Sequence, residues 1–258
     1  MEFILDKKNW GGFFVKLQRK IAVRFFLASK RKSRLYFVVM GDSILFHIRQ
    51  TVSPELAERF ISVDHSYIFG STRPRVEVNK PLQIGTVGVL TEAKGYDTLC
   101  VLAERLQAMK KVKLTVTGRI FADIEPLERF GVDLPCNKGI APLEDEEFRE
   151  RIERLDYILF LYPTDSYRMI ASGAVMDAVD KARPIVSLRN DYFSYLFNKY
   201  GNFGFLAEDT SHLLHLIEQL GQGELQCSAI DFDELRHKMS PEVLCAELKT
   251  ALSTINWL

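Results

Sequence analysis

The sequence predicts an α/β protein: a doubly wound parallel sheet preceded by an incomplete α/β segment. Two observations carry the sheet. From residue 82 onward, short runs rich in β-branched and aromatic residues alternate with amphipathic stretches of about a dozen residues. The composition, 47% hydrophobic and 26% charged, is that of a globular chain and excludes a mainly disordered one. A third observation limits the first part: only two strand-like runs and two short helices fit into residues 35–69. The stretch 70–81, rich in Gly, Pro and charge, reads as a linker. The expected domains are therefore 1–80, 81–225 and 226–258.

Taken in order, residues 13–28 have helical periodicity, with Phe14, Leu17, Ile21, Phe25 and Ala28 on one face and Lys16, Lys20 and Arg24 on another. A short strand over 35–41, a helix from Asp42 or Ser43, a second helix from Ser53-Pro54 and a strand over 59–69 follow. In the main domain, strands are expected at 82–90, 112–118, 156–162 and 184–188. Helices are expected at 96–110, 122–131, 144–155, 172–182, 191–201 and 211–221. After the flexible GQGEL at 221–225 come one or two terminal helices.

The 34 basic and 34 acidic residues sum to zero, but unevenly. Ten of the basic residues, and no acidic one, lie in 7–34, which leaves 24 basic against 34 acidic elsewhere. No apolar run reaches the roughly 18 residues of a membrane span. The start lacks the segment order of a signal peptide. Cys100, Cys136, Cys227 and Cys245 are scattered with no C-x-x-C pair, so they are expected as reduced thiols of a cytoplasmic protein, without a structural zinc. The five histidines show no metal-ligand spacing, and there is no Ser-His-Asp constellation.

Ligands of open parallel sheets bind beyond the carboxyl ends of the strands, at the switch point of the strand order. Three strand ends are chemically marked. Gly88 to Gly95 lets backbone approach a ligand and brings Lys94 within reach of an anion; it is not a Walker A loop. The plain alternative is a tight turn with a solvated lysine. Thr117-Gly118-Arg119 admits a flat group over the strand end, or is an ordinary turn. The third mark runs from Tyr162 to Ala178. A helix beginning near Ser172-Gly173 offers free N–H groups and a positive dipole end to a diphosphate. Asp177, one turn on, suits ribose hydroxyls. The alternative is a Ser172-capped helix with a solvent-facing Asp177.

These residues resemble the nucleotide-sugar-binding half of retaining glycosyltransferases with the two-Rossmann (GT-B) architecture, family 4 type. Gly88 and Lys94-Gly95 match the family's opening G-R-L-x-x-x-K-G, with Val89 at the arginine position. Gly118 matches a strand-ending glycine, and Gly139-Ile140 matches a G-x-[VI] segment before an acidic helix. Leu155-Asp156 and Tyr162-Pro163 match an A-D pair and a P-S loop. Asp177-Ala178 and Pro184-Ile185-Val186 match the second half of E-x₇-E-A-M-x-x-G-x-P-V, whereas Met169 and Ala182 replace its first acid and its glycine. The resemblance spans about residues 82–225.

It implies a Rossmann-like domain that binds a nucleoside diphosphate sugar. The sugar is then transferred with retention to a glycan or lipid-linked acceptor hydroxyl in polysaccharide or glycolipid synthesis. Lys94, Arg168 and the Ser172-Gly173 backbone would hold the diphosphate, Asp177 the ribose, and Gly88, Gly118, Arg119, Gly139 and Ile140 the nucleotide. No metal or other cofactor is expected, and the catalytic residues are not assigned. The D-x-D of Asp231 to Asp233 lies outside the sheet and is expected to cap a helix. Residues 35–69 correspond to the tail of the family's acceptor domain, so a fragment or a reduced domain is expected. A catalytically incomplete donor-binding module is then the second function class, and a sugar-nucleotide epimerase a third. The basic segment 7–34 has three readings: an anionic membrane surface at the cytoplasmic face, nucleic acid, or a helix of the first domain. Nucleic acid is the least favoured of them.

Overall fold

The structure is a computed structural model, and it describes residues 35–70, 78–164, 167–227 and 229–255. The expected helix at 13–28 lies outside the described residues. The chain forms two compact units: a smaller one from the residues up to Ile68, Tyr167–Ala171 and Lys238 onward, and a larger one from Phe69–Ser166 and Ser172–His237. The stretch 226–258, grouped together from the sequence, is thus divided between them.

In the smaller unit β1 (Phe37–Met40) and β2 (Phe60–Val63) pair in parallel, Phe37 against Phe60 and Met40 against Val63. Between them run α1 (Asp42–Arg49) and the one-turn α2 (Pro54–Ala57), started by Pro54. Ile44, Leu45, Ile48, Leu56 and Phe60 make the core, with Phe37 stacked on Phe60 at 4.8 Å. Met169 and Ala171 pack against the same cluster. The second strand, expected to run to residue 69, stops at Val63, because β1 ends at Met40 and offers no further ladder.

The larger unit is a five-stranded, wholly parallel sheet in the order β4-β3-β5-β6-β7. The strands are β3 (Leu82–Val87), β4 (Val112–Thr117), β5 (Tyr157–Phe160), β6 (Ile185–Leu188) and β7 (Gly204–Ala207). Its helices are α3 (Tyr96–Leu106), α4 (Glu125–Arg129), α5 (Asp145–Arg154), α6 (Gly173–Asp180), α7 (Asp191–Tyr200), α8 (Thr210–Gln222) and α9 (Phe232–Lys238). The last helix, α10 (Pro241–Thr254), packs on β2. Ile84, Val116, Ile158 and Val186 are fully buried, as side chains of a sheet covered on both faces must be. The doubly wound α/β expectation holds. The strand β7 was not foreseen, and the helix expected at 122–131 is confined to Glu125–Arg129.

Polar anchors fix the frame. Arg151, nearly fully buried, donates through Nη2 to the carbonyls of Val116 and Asp133 and to the Asp133 carboxylate at 3.0–3.2 Å. Asp156 accepts from the backbone N–H of Asn79 and Gln83, at 3.0 and 2.7 Å, so it ties the start of β3 to that of β5. It therefore acts at the amino edge of the sheet.

The end of α6 shows how local chemistry and strain meet. Arg183 N–H donates to Ala178 and Ala182 N–H to Val179, the pair of bonds of a Schellman stop. Ala182 accordingly stands at φ 50°, the left-handed position where glycine is usual. Left-handed backbone costs an alanine about 1–2 kcal/mol, part of which glycine gives back through unfolded-state freedom. Ala182→Gly is expected to raise the unfolding free energy by about 0.5 kcal/mol in urea titrations. A loss of stability would mean that the buried Ala182 methyl outweighs the strain.

Candidate functional site

The strand order reverses at β3. The chain passes from β3 to β4 on one side, then returns to lay β5 on the other. That switch point, beyond the carboxyl ends of β3 and β5, is where sheets of this kind form their ligand crevice. The loop after β3 is Gly88 to Gly95, and the chain after β5 continues through Leu161, Tyr162 and Pro163.

One wall of the crevice is backbone. Beyond the strands the loops stay zipped: Gly88 N–H donates to Thr117, Leu90 to Arg119, Phe121 to Leu90 and Ile120 to Gly139, all at 2.8–2.9 Å. Gly118, at φ 141°, has the Gly88 carbonyl where a Cβ would stand, so only glycine permits this approach. Gly88, Gly118, Arg119, Gly139 and Ile140 therefore lie along one continuous edge. Val89, Phe121 and Ile140 project from these loops into solvent, Ile140 with 73% of its surface exposed. The Arg119 guanidinium carbon lies 4.2 Å from the Phe121 ring centroid. An apolar and π-faced ledge beside a bare glycine pair suits a flat ring.

The other wall is polar. A single 3₁₀ turn, Glu92–Lys94, ends at Gly95, whose φ of 85° starts α3. Gly95 packs directly on the Leu161 carbonyl, and this contact sets Lys94 beside Tyr162. The Lys94 ammonium is 5.9 Å from the Tyr162 ring centroid. Its pKa is pushed below the ordinary lysine value by burial. No carboxylate pairs with it among the described residues.

Ser172 sits at the N-cap of α6, but no side chain caps that helix. Its hydroxyl is instead 3.0 Å from the buried Tyr162 hydroxyl. Gly173 is exposed, with nothing within 4 Å of the space a Cβ would occupy. Asp177, half-buried, stands one turn on, at the i+4 position that shares a helix face with Gly173. Gly88 approaches the same turn, since a Cβ on it would stand 3.9 Å from the Ala174 methyl. Lys94, Gly88, Ser172 and Gly173 are thus brought to the same end of the sheet. Half-buried cation and open helix start form a place for an anion.

Arg168, also expected to hold the diphosphate, is exposed on Tyr167–Ala171, which belongs to the smaller unit. In the sequence Tyr162 reads only as the end of the strand 156–162 and the start of the loop after it. The signal for more was a tyrosine closing an apolar strand, because a buried phenol needs a hydrogen-bond partner. The D-x-D behaves as a capping element. Asp231 accepts from Glu234 N–H at 2.9 Å, and Asp233 pairs with Arg236 at 2.8 Å. Arg236 in turn donates to the last carbonyls of α6, Val179 and Asp180. His212, on α8, accepts from Glu208 N–H through Nδ1. No group of three or more metal-ligating side chains occurs among the described residues.

No protein-family model matches this chain, and no curated protein sequence does. Solved structures are similar to it. HepE from Anabaena in complex with UDP superposes with a TM-score of 0.65 at 13% identity, over 90% of this chain and 67% of HepE. TarM from S. aureus gives 0.63 at 14%, over 88% of this chain and 45% of TarM. The lipopolysaccharide outer core galactosyltransferase WaaB gives 0.63 at 13%, over 85% of this chain and 62% of WaaB. The chain therefore spans less than two thirds of the length of TarM and of WaaB. At these identities the likeness shows the fold: a Rossmann-like α/β fold of the kind seen in glycosyltransferases of the two-Rossmann architecture.

Proposed function

We propose that this chain binds a nucleoside diphosphate sugar at the carboxyl edge of its five-stranded sheet and serves a retaining glycosyl transfer to a glycan or lipid-linked hydroxyl. The observation that carries the reading is the convergence of half-buried Lys94 with the uncapped start of α6 at the switch point. Support comes from the fold's likeness to solved structures whose own ligands include UDP and UDP-glucose. In this reading Lys94 and the Ser172-Gly173 backbone take up the charge that grows on the leaving diphosphate as an oxocarbenium-like sugar forms. Asp177 accepts from ribose hydroxyls, and the glycine edge with Arg119 and Ile140 receives the base.

A panel of nucleoside diphosphate sugars titrated calorimetrically tests this. Saturable binding of at least one of them is expected, and binding by none rejects it. Asp177→Ala should weaken UDP several-fold and leave inorganic pyrophosphate unaffected, because only UDP presents a ribose. Equal losses for both would remove Asp177 from the ribose contact.

A second reading, a donor-binding module that works with a partner chain, is favoured by the two-stranded sheet of the smaller unit among the described residues. Binding without transfer or donor hydrolysis would select it. No helix of the described residues is long and apolar enough to cross a membrane. Ten basic residues in 7–34 fit peripheral attachment to an anionic surface, such as a cytoplasmic leaflet. Co-sedimentation with vesicles is expected to rise with phosphatidylserine fraction and fall with salt; no pelleting at low salt would contradict the attachment.

A further inference from the structure

We infer that Tyr162 is a positioning residue of the anion pocket: it holds the Ser172 hydroxyl away from the start of α6, so that the Gly173 and Ala174 N–H groups stay open to a diphosphate, the Val175 N–H being taken by the Ser172 carbonyl at 3.3 Å. This deepens the proposed reading of the site and rests on it.

A serine at an N-cap normally accepts from the N–H two or three residues on. Ser172 has the extended backbone of a cap, at φ −99° and ψ 112°, yet makes no such bond. The capping residues of α7, α8 and α10 accept such bonds, Asn190 from Phe193, Asp209 from His212 and Ser240 from Val243, whereas Ser53, before the one-turn α2, does not. The difference at Ser172 has a visible cause. Its Oγ is 3.0 Å from Tyr162 Oη in a buried contact, and Tyr192 Oη donates to its carbonyl at 3.5 Å. Tyr162 is itself immobilised, with 4% of its surface exposed and its ring tilted against Phe193 at 5.8 Å and edge-on to Phe160 at 5.7 Å. A rigid phenol thus withholds the cap. The face of the same ring lies under the Lys94 ammonium. One side chain therefore touches both anion-binding groups: the hydroxyl governs the helix start, and the ring supports the lysine.

The two functions separate by substitution. Tyr162→Phe keeps the ring and frees Ser172 to cap. The Ala174 amide should then exchange with deuterium several-fold more slowly, and UDP affinity should fall about fivefold, as expected for one competing neutral hydrogen bond. The melting temperature should hold or rise. Adding Ser172→Ala removes the competing hydroxyl but keeps the backbone, so affinity and exchange should return toward the wild-type values. Tyr162→Leu removes the ring as well, and should lower affinity further.

Unchanged amide exchange and UDP affinity in Tyr162→Phe overturn the inference. So does an affinity loss that Ser172→Ala does not reverse, since that is the mark of a merely structural role. A wild-type chain that binds neither UDP nor pyrophosphate overturns the site reading itself, whereas failure of Tyr162→Phe alone, in a chain that binds UDP, overturns only the role of Tyr162.

Discussion

Replacing Lys94 with alanine is expected to weaken UDP binding about 10- to 100-fold, the worth of one charge-assisted hydrogen bond to a diphosphate. The fold should not suffer. Burial lowers the Lys94 pKa below the usual value, so the folded chain binds fewer protons than the unfolded one in the window between the lowered pKa and that of a free lysine. Stability therefore rises with pH through that window, and below it the buried charge is a cost that alanine removes. The same shift shapes binding. A diphosphate needs the ammonium, which in the free protein is lost at lower pH than an ordinary lysine would lose it. UDP affinity should accordingly decline early on the alkaline side, and Lys94→Arg, which stays charged, should flatten that limb. Wild-type affinity in Lys94→Ala would take the lysine out of the site.

Gly95→Ala should be the more damaging change to the molecule. Gly95 stands at φ 85°, where alanine loses about 1–2 kcal/mol from backbone alone. The position of the new Cβ is already filled by the Leu161 carbonyl, at the end of a fully buried stretch that cannot yield cheaply. Together these point to a loss of about 3 kcal/mol or more in urea unfolding, the range of strain and overpacking combined. UDP affinity should fall as well, because Gly95 is the hinge that seats Lys94 beside Tyr162. A variant as stable as the wild type would show that the close approach of the loop to β5 is not a constraint.

The parts of the fold legible in the sequence were those written locally. Strand β3, helix α3 and strand β4 follow from runs of apolar residues and their spacing. The glycines at 88 and 118 mark strand ends because they are needed there for contact between neighbouring loops. What escaped was set by contacts distant in the chain. The four residues of β7 begin with a glycine and carry no periodic pattern; pairing with β6 makes them a strand. Asp156 meets Asn79 across 77 residues, and nothing near either one announces the bond. The segment Tyr167–Ala171 leaves the larger unit because Met169 and Ala171 pack into the other core. Tyr167 even holds φ 61°, a conformation no sequence pattern foretells.

The candidate site was legible in the same uneven way. Lys94 and the Ser172-Gly173 helix start were visible as chemistry at strand ends, and the strand order brings them to one crevice. That Ser172 fails to cap its helix was not visible, since serine at that position predicts the opposite. The Tyr162 hydroxyl, 3.0 Å from the Ser172 hydroxyl, is the competing partner.

The proposed ligand site lies at the carboxyl edge of the sheet, and amide chemical shifts under UDP titration test that most directly. Gly88, Gly95, Gly118 and Gly173 should shift and saturate together, while Gly221 and Gly223, at the amino edge, stay still. Shifts confined to Gly221 and Gly223, or none among the first four at saturating UDP, would contradict it.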